Sequence, residues 1–152
     1  MPLLKLSDNR LLPAFDETLQ EVSLDEWREN PIAHASATAL VVSNDASLDD
    51  IQKDIGGFDH IILNFPSFAD GRAYSQARLL RERFEYAGEI RARGDVLPDQ
   101  IFFMSRCGID AFEMDDLSVM QDALRVFSFA YQAAADAIVP VWQKRGHCAA
   151  AA

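Results

Sequence analysis

Several arginines and one glutamate lie where the sequence pattern changes between strand and helix. Arg72 follows Gly71 at the predicted start of a helix, whereas Arg93 and Glu113 each end a predicted strand. Guanidinium groups beside the backbone N–H groups of a helix N-terminus can hold a sulfate, phosphate or carboxylate. In open parallel α/β folds, ligands bind at such strand ends. The predicted anion-binding residues are Asn64, Asp70, Gly71, Arg72, Arg91 and Arg93, and Glu113 is the candidate catalytic proton carrier.

The same side chains can also be interpreted as internal ion pairs. Arg93 can pair with Glu113 at the end of the neighbouring strand. Arg72 can pair with Asp70, two residues before it. Such pairs would satisfy the guanidinium groups without any ligand, so both interpretations stay open at this stage.

The arginines further along the same predicted helix are better explained as surface ion pairs. Arg78 and Glu82 have the i, i+4 spacing that places opposite charges side by side on a helix. Arg81 and Glu85 have the same spacing. We predict both pairs on the helix face that points away from the apolar stripe, with Arg83 beside them.

Alternating apolar runs and amphipathic segments predict the architecture that positions these residues. Their rhythm implies a parallel sheet with right-handed βαβ crossovers. We predict an α/β fold with a parallel sheet of about four strands, either open and three-layered or resembling half of a (βα)8 barrel. The predicted strands are 37–43, 60–65, 89–93 and 109–114, and the predicted helices are 48–55, 71–86, 95–107 and 115–136.

The third predicted strand has one polar face. Ile90 and Ala92 alternate with Glu89, Arg91 and Arg93. A central strand covered by helices on both sides should be apolar on both faces. This strand is therefore predicted either to lie at an edge of the sheet or to turn its arginine face towards a solvent-open or ligand-bearing cavity.

Three residues mark the expected ends of helices. Ser23 begins a capping-box pattern, which predicts a short helix that carries Trp27 and stops before Pro31. Asp95 is the expected cap of the third predicted helix, and Gly108 is its expected C-terminal stop.

Length and composition predict one globular domain. The chain has 152 residues, of which 49% are hydrophobic and 25% charged. Residues 1–36 are predicted to be irregular apart from the short helix, and residues 140–152 are expected to fray. The net charge of −10 argues against a general nucleic-acid binder. Since no long apolar run and no signal-peptide pattern is present, we expect no membrane association and a cytoplasmic location.

The sequence carries no established cofactor or metal motif. It lacks a dinucleotide G-x-G-x-x-G, a phosphate-binding loop and zinc-ligand spacing. Cys107 and Cys148, its two cysteines, are too few for four-thiolate ligation within one chain. We therefore predict no cofactor and no metal.

The fourth predicted helix carries a second stripe of small residues. Such a stripe allows another helix to approach closely, which would fit either deeper burial or a homodimer formed through this C-terminal helix. The stripe consists of Val119, Ala123, Val126, Ala130, Ala133 and Ala137.

Residues 68–81 and 94–104 resemble an uncharacterised bacterial family of unknown function. The resemblance is strongest over residues 58–115. Members of that family are often labelled oxidoreductases linked to sulfite reduction, and are usually encoded beside assimilatory sulfite or nitrite reductase. The resemblance implies a pathway and a partner reductase, without catalytic residues to transfer.

Three functions follow from these observations. The first is an accessory protein of assimilatory sulfite reduction that binds the reductase or a small oxyanion metabolite through the arginine-bearing strand ends. The second is a small half-barrel-like enzyme acting on an anionic substrate that carries phosphate, sulfate or carboxylate. The third is a structural dimer without a small-molecule site.

Overall fold

A computed structural model describes residues 3–7, 10–14, 18–113 and 134–135. Seven strands form one sheet in the order β2-β1-β7-β6-β5-β4-β3. The strands are β1 (Leu3–Ser7), β2 (Arg10–Ala14), β3 (Glu21–Ser23), β4 (Ala39–Val42), β5 (His60–Phe65), β6 (Glu89–Gly94) and β7 (Ala111–Glu113). The α-helices are α1 (Leu24–Glu29), α2 (Arg72–Arg78) and α3 (Ile101–Arg106). Short 3-10 turns span Ile55–Gly57 and Pro98–Gln100, and a π-helical turn spans Leu79–Arg83.

Strands β3 to β7 run parallel to one another and follow in reverse chain order from β7 to β3 across the sheet. This confirms a mixed α/β fold with parallel strands at the four predicted places. The match is closest for β5, because its run of large apolar side chains is unbroken at three successive buried positions. β4 begins two residues later and ends one residue earlier than predicted, and β7 begins two residues later than predicted.

The N-terminal segment was predicted to be irregular apart from one short helix, and that prediction is wrong at 3–7, 10–14 and 21–23, where three strands lie. β1 and β2 form an antiparallel hairpin, β1 pairs antiparallel with β7, and β3 pairs parallel with β4. The sheet therefore has seven strands where about four were expected. These added strands contain five residues or fewer, too short for a strong periodic signal, and β1 and β3 pair with strands outside this segment.

One face of the sheet holds the apolar core. Ala73, Ala77 and Leu80 of the second helical segment are fully buried against it, as their spacing predicted, and so are Ile101 and Met104 of α3. The strand residues of this core are Leu4, Leu11, Val22, Leu40, Val42, Ile61, Leu63, Phe65, Ile90, Ala92 and Phe112. α2 and α3, which join the central parallel strands, thus pack on the same side of the sheet.

β6 is the middle strand of the seven, so the prediction of an edge strand is wrong. Its polar face is also closed to solvent, because Arg91 is only 1% exposed and Glu113 of β7 only 2%. The charge of the buried arginine is compensated by Glu89 on the same strand and by Glu113 on β7. The predicted fourth helix, its small-residue stripe and the tail at 140–152 lie outside the described residues, apart from positions 134–135.

The helix boundaries follow the predicted signals in part. Ser23 and Glu26 form the capping box of α1, and Gly108 adopts a positive φ of 95° after α3, as expected. Asp95 does not cap its own helix; its carboxylate instead accepts a hydrogen bond from the backbone N–H of Phe68. The predicted helix 48–55 is mostly turns, because a run rich in aspartate has low helix propensity.

Candidate functional site

Among the described residues, six charged side chains form a continuous chain of ion pairs on the polar face of the sheet, which we term the charge ladder. Acid and base alternate along it, so three positive and three negative charges cancel. Its members, in order, are Lys5, Glu89, Arg91, Glu113, Arg93 and Glu21.

Arg91 lies at the centre of the ladder. Its Nη2 lies 2.9 Å from Glu89 Oε1, and its Nη1 lies 3.1 Å from Glu113 Oε1. Burial disfavours a charged guanidinium, but the hydrogen bonds to these two carboxylates outweigh burial and raise the pKa of Arg91. A buried arginine held in this way is a fixed structural charge.

Arg93 extends the ladder towards the edge of the sheet. It donates two hydrogen bonds to Glu21, at 2.9 and 2.6 Å, and two to the carboxylate of Glu113. Hydrogen bonds to Glu21 and Glu113 raise the pKa of Arg93. Both Glu113 oxygens therefore accept hydrogen bonds from guanidinium groups, one from Arg91 and two from Arg93.

The other end of the ladder reaches the N-terminal hairpin. Lys5 Nζ lies 2.7 Å from one oxygen of Glu89, and His60 Nδ1 lies 3.3 Å from the other. Burial raises the pKa of Glu89, but hydrogen bonds from Lys5 and Arg91 outweigh it, so the pKa ends below its ordinary value. The glutamate is thus held as an anion.

Asp70 and Arg72 form a separate pair at the start of α2. The Asp70 carboxylate accepts from the Arg72 backbone N–H at 3.2 Å and from Arg72 Nη2 at 2.6 Å, and Asn44 Nδ2 donates to it at 2.7 Å. These hydrogen bonds, led by that from the Arg72 side chain, lower the pKa of Asp70 to about 2. Gly71 stands between the two as the residue before the helix.

The structure thus divides the predicted anion-binding residues into two groups. Arg91, Arg93 and Glu113 meet in the charge ladder, and Asn64 joins their face of the sheet because it is in register with Arg93. Asp70, Gly71 and Arg72 lie in the loop that leads into α2. The internal pairs proposed as an alternative, Arg93 with Glu113 and Arg72 with Asp70, are both present.

Lys5 and Glu21 are ladder members that sequence reasoning missed. Both belong to the segment that was predicted to be irregular. No spacing rule could connect them to β6, since the paired positions are brought together only by the sheet.

Arg81 does not pair with Glu85 as predicted, whereas Arg78 and Glu82 do pair, at 2.8 Å. Arg81 donates to three backbone carbonyls, those of Gly108 at 3.0 Å, Tyr86 at 2.5 Å and Gly88 at 2.8 Å, and its Nη2 contacts the carboxylate of Asp110. The reason is the π-helical turn, which departs from the α-helical spacing, and the positive φ of 53° at Glu85.

Three loops at the carboxyl ends of β4, β5 and β6 are joined into one surface, which we term the strand-end rim (residues 43–47, 66–72 and 95–100). Gln76 Nε2 donates to the carbonyls of Ser43 and Ala46, both at 2.9 Å. Phe68 is fixed at both backbone groups: its N–H donates to Asp95 at 3.0 Å, and its carbonyl accepts from Gln100 at 2.8 Å. Its side chain is nevertheless 52% exposed.

The comparison with protein families identifies the group to which this chain is related. The family model described as "Bacterial protein of unknown function (DUF934)" matches residues 39–142. The chain belongs to the DUF934 family. Searches of curated proteins and of solved structures found no match.

The DUF934 match includes β4 to β7 and begins after β3. Glu89, Arg91, Arg93 and Glu113 therefore lie within the family region. Lys5 and Glu21, the two ends of the charge ladder, come from the segment that precedes it.

The described part of this DUF934 chain contains no group of three or more histidine, cysteine, aspartate or glutamate side chains placed to bind one metal ion. Within the same residues, no helix has the length and hydropathy needed to cross a bilayer.

Proposed function

We propose that this chain is an accessory protein of assimilatory sulfite reduction, which binds the reductase through the strand-end rim. The observation that carries the proposal is Phe68, an aromatic side chain that is half exposed although its backbone is fixed by hydrogen bonds from two sides. Exposed aromatic side chains on rigid surfaces are frequent anchors of protein interfaces. The resemblance to proteins encoded beside the reductase supplies the pathway.

The charges of the rim favour a protein partner over a small oxyanion. Arg72 is its one base, and Asp70 already neutralises it. The acids of the three rim loops are Asp45, Asp70, Asp95 and Asp99, so the loops carry a net charge of −3. An oxyanion would have to displace Asp70 from Arg72 and approach an acidic surface, which costs electrostatic energy.

The proposal is tested by a pull-down of purified sulfite reductase on the immobilised chain, combined with calorimetric titrations of sulfite and phosphosulfate. We expect the reductase to be retained and both oxyanions to give no heat of binding. Retention of neither the reductase nor an oxyanion would remove the basis of the accessory function. Heat from an oxyanion without retention of the reductase would favour a small-molecule role.

A half-barrel-like enzyme is the second candidate, and the path of the charge ladder favours it. Arg93 on β6 bonds Glu21 on β3 although β5 and β4 lie between them. In a flat sheet, strands three positions apart are about 14 Å apart. A direct hydrogen bond between the side chains of Arg93 and Glu21 supports a sheet that curls towards its polar face, as the wall of a barrel does.

As predicted from the sequence, this second candidate has Arg72 and Arg93 holding an oxyanion and Glu113 moving a proton; Arg93 and Glu113 lie together, and Arg72 lies at the start of α2. The test is activity against phosphate, sulfate and carboxylate esters, compared between the native chain and the folded Glu113→Gln variant. Equal activity in the two proteins would exclude Glu113 from catalysis.

A further inference from the structure

We infer that the strand-end rim recognises a basic protein surface, with Phe68 entering an apolar pocket whose border carries lysine or arginine side chains. The inference deepens the proposed function and rests on the same rim. It specifies the chemistry of the partner, where the proposed function specifies only the pathway.

The first step of the argument is the rigidity of Phe68. Its backbone N–H donates to Asp95 and its carbonyl accepts from Gln100, so the loop after β6 fixes both backbone groups of this residue of the β5 loop. Asn44, in the loop after β4, donates a hydrogen bond to Asp70 and thereby connects that loop to the loop after β5. Because the backbone is already ordered, little conformational entropy is lost when a partner covers the ring.

The second step is the charge around the ring. Asp45, Asp95 and Asp99 are exposed, and the one base of the rim, Arg72, is neutralised by Asp70. The whole chain carries a net charge of −10, so its field repels acidic partners and attracts basic ones. An apolar anchor within an acidic border is complementary to an apolar pocket within a basic border.

The third step is a comparison with Ile32, which is 88% exposed. Ile32 lies in the turns between α1 and β4, outside the three rim loops. It therefore provides a control position with at least as much apolar exposure outside the proposed surface.

The decisive experiment places the photo-crosslinking residue benzoylphenylalanine at position 68 of the full chain in bacterial cells, with the same residue at position 32 as the control. We expect a product specific to position 68, whose cross-linked peptide maps to apolar residues bordered by lysine or arginine. The absence of such a product, or a site bordered by acids, would overturn the inference. Capture of a basic partner other than the reductase would support the inference and contradict the proposed function.

A matched pair of charge reversals tests the acidic border by itself. Asp99→Lys changes the charge on the rim, and Asp54→Lys makes the same change outside the three rim loops; both positions are exposed. In binding assays with the cross-linked partner, we expect Asp99→Lys to weaken affinity at least tenfold at low salt and Asp54→Lys to change it less than threefold. Equal effects of the two variants would contradict recognition by the rim.

Discussion

Arg93 and Glu21, which are 72 positions apart in the sequence, are joined by two hydrogen bonds across the polar face of the sheet. The pair connects the middle strand to β3, the strand at one edge. Through Glu113 and Arg91 the same network continues to Lys5 in the N-terminal hairpin. The charge ladder therefore links both flanks of the sheet to its centre.

Replacing Glu113 by glutamine should destabilise the fold strongly. The change leaves the buried guanidinium of Arg91 and that of Arg93 without a shared counter-charge. Removing one partner of a buried ion pair lowers the free energy of unfolding by about 3 to 5 kcal/mol. Urea denaturation should show this loss in the free energy of unfolding.

The control for this variant is Glu82→Gln, which breaks the surface pair with Arg78. It should cost less than about 0.5 kcal/mol, because exposed i, i+4 pairs contribute little. Similar losses in the two variants would show that the ladder does not stabilise the fold as a buried network.

Replacing Arg81 by lysine should loosen the connection between the π-helical turn and the loop before β7. The guanidinium group donates hydrogen bonds to the carbonyls of Tyr86, Gly88 and Gly108 at the same time. A single ammonium group cannot reach all three. We expect a loss of about 2 to 4 kcal/mol, since hydrogen bonds from charged donors contribute more than neutral ones. Hydrogen exchange should accelerate at residues 86–90 and 108–111, and unchanged exchange there would contradict the role of Arg81.

Alanine at Gly94 should be more damaging than alanine at Gly108. Both glycines have positive φ angles, 114° and 95°. A Cβ at Gly94 would lie 2.2 Å from the backbone oxygen of Phe65, whereas a Cβ at Gly108 would lie 2.4 Å from the movable side chain of Arg81. Gly94→Ala should have a lower midpoint of thermal unfolding than Gly108→Ala. Gly56→Ala should have a midpoint close to that of the native chain, because a Cβ there meets no atom within 4 Å.

The carboxyl group of Asp70 should titrate at about pH 2, below its ordinary value of 3.8, because Arg72 hydrogen-bonds its anionic form. A carboxyl with a lowered pKa in the folded state stabilises the fold above its unfolded pKa. That contribution is lost as the pH falls from about 4 through about 2. NMR titration of the side-chain carboxyl carbons should detect the shift.

The Arg72→Gln variant should raise the pKa of Asp70 back towards 3.8. Arg78→Gln, which breaks a pair further along the helix, is the control and should leave it at about 2. If the pKa of Asp70 were the same in all three proteins, Arg72 would not be the cause of its lowered value.

Local signals predicted the parts of the fold that local physics controls. The unbroken apolar run of β5, the capping box at Ser23 and the stop at Gly108 each act within a few residues, and the structure confirms them. The strands β1 and β3 could not be predicted in this way, because their hydrogen-bond partners lie far away in the sequence.

The candidate site shows the same division. The pair of Asp70 and Arg72 could be proposed from adjacent positions, and the pair of Arg93 and Glu113 from neighbouring strand ends. The burial of Arg91 could not be predicted from the sequence. Polar residues at every second position are expected both when one face of a strand is exposed to solvent and when that face is buried against carboxylates, so the pattern does not distinguish the two cases. The anchor Phe68 was missed because loop exposure has no periodic signature.

The antiparallel pairing of Leu3 with Glu113 sets a condition on how the protein is made. During synthesis β1 leaves the ribosome early, but β7 is the last of the seven strands to be translated. Until then the hairpin of β1 and β2 has no neighbour in the sheet, and isolated hairpins are only marginally stable in water. The sheet can therefore be completed only after β7 has left the ribosome, and the side of β1 that pairs with β7 stays without that partner until then.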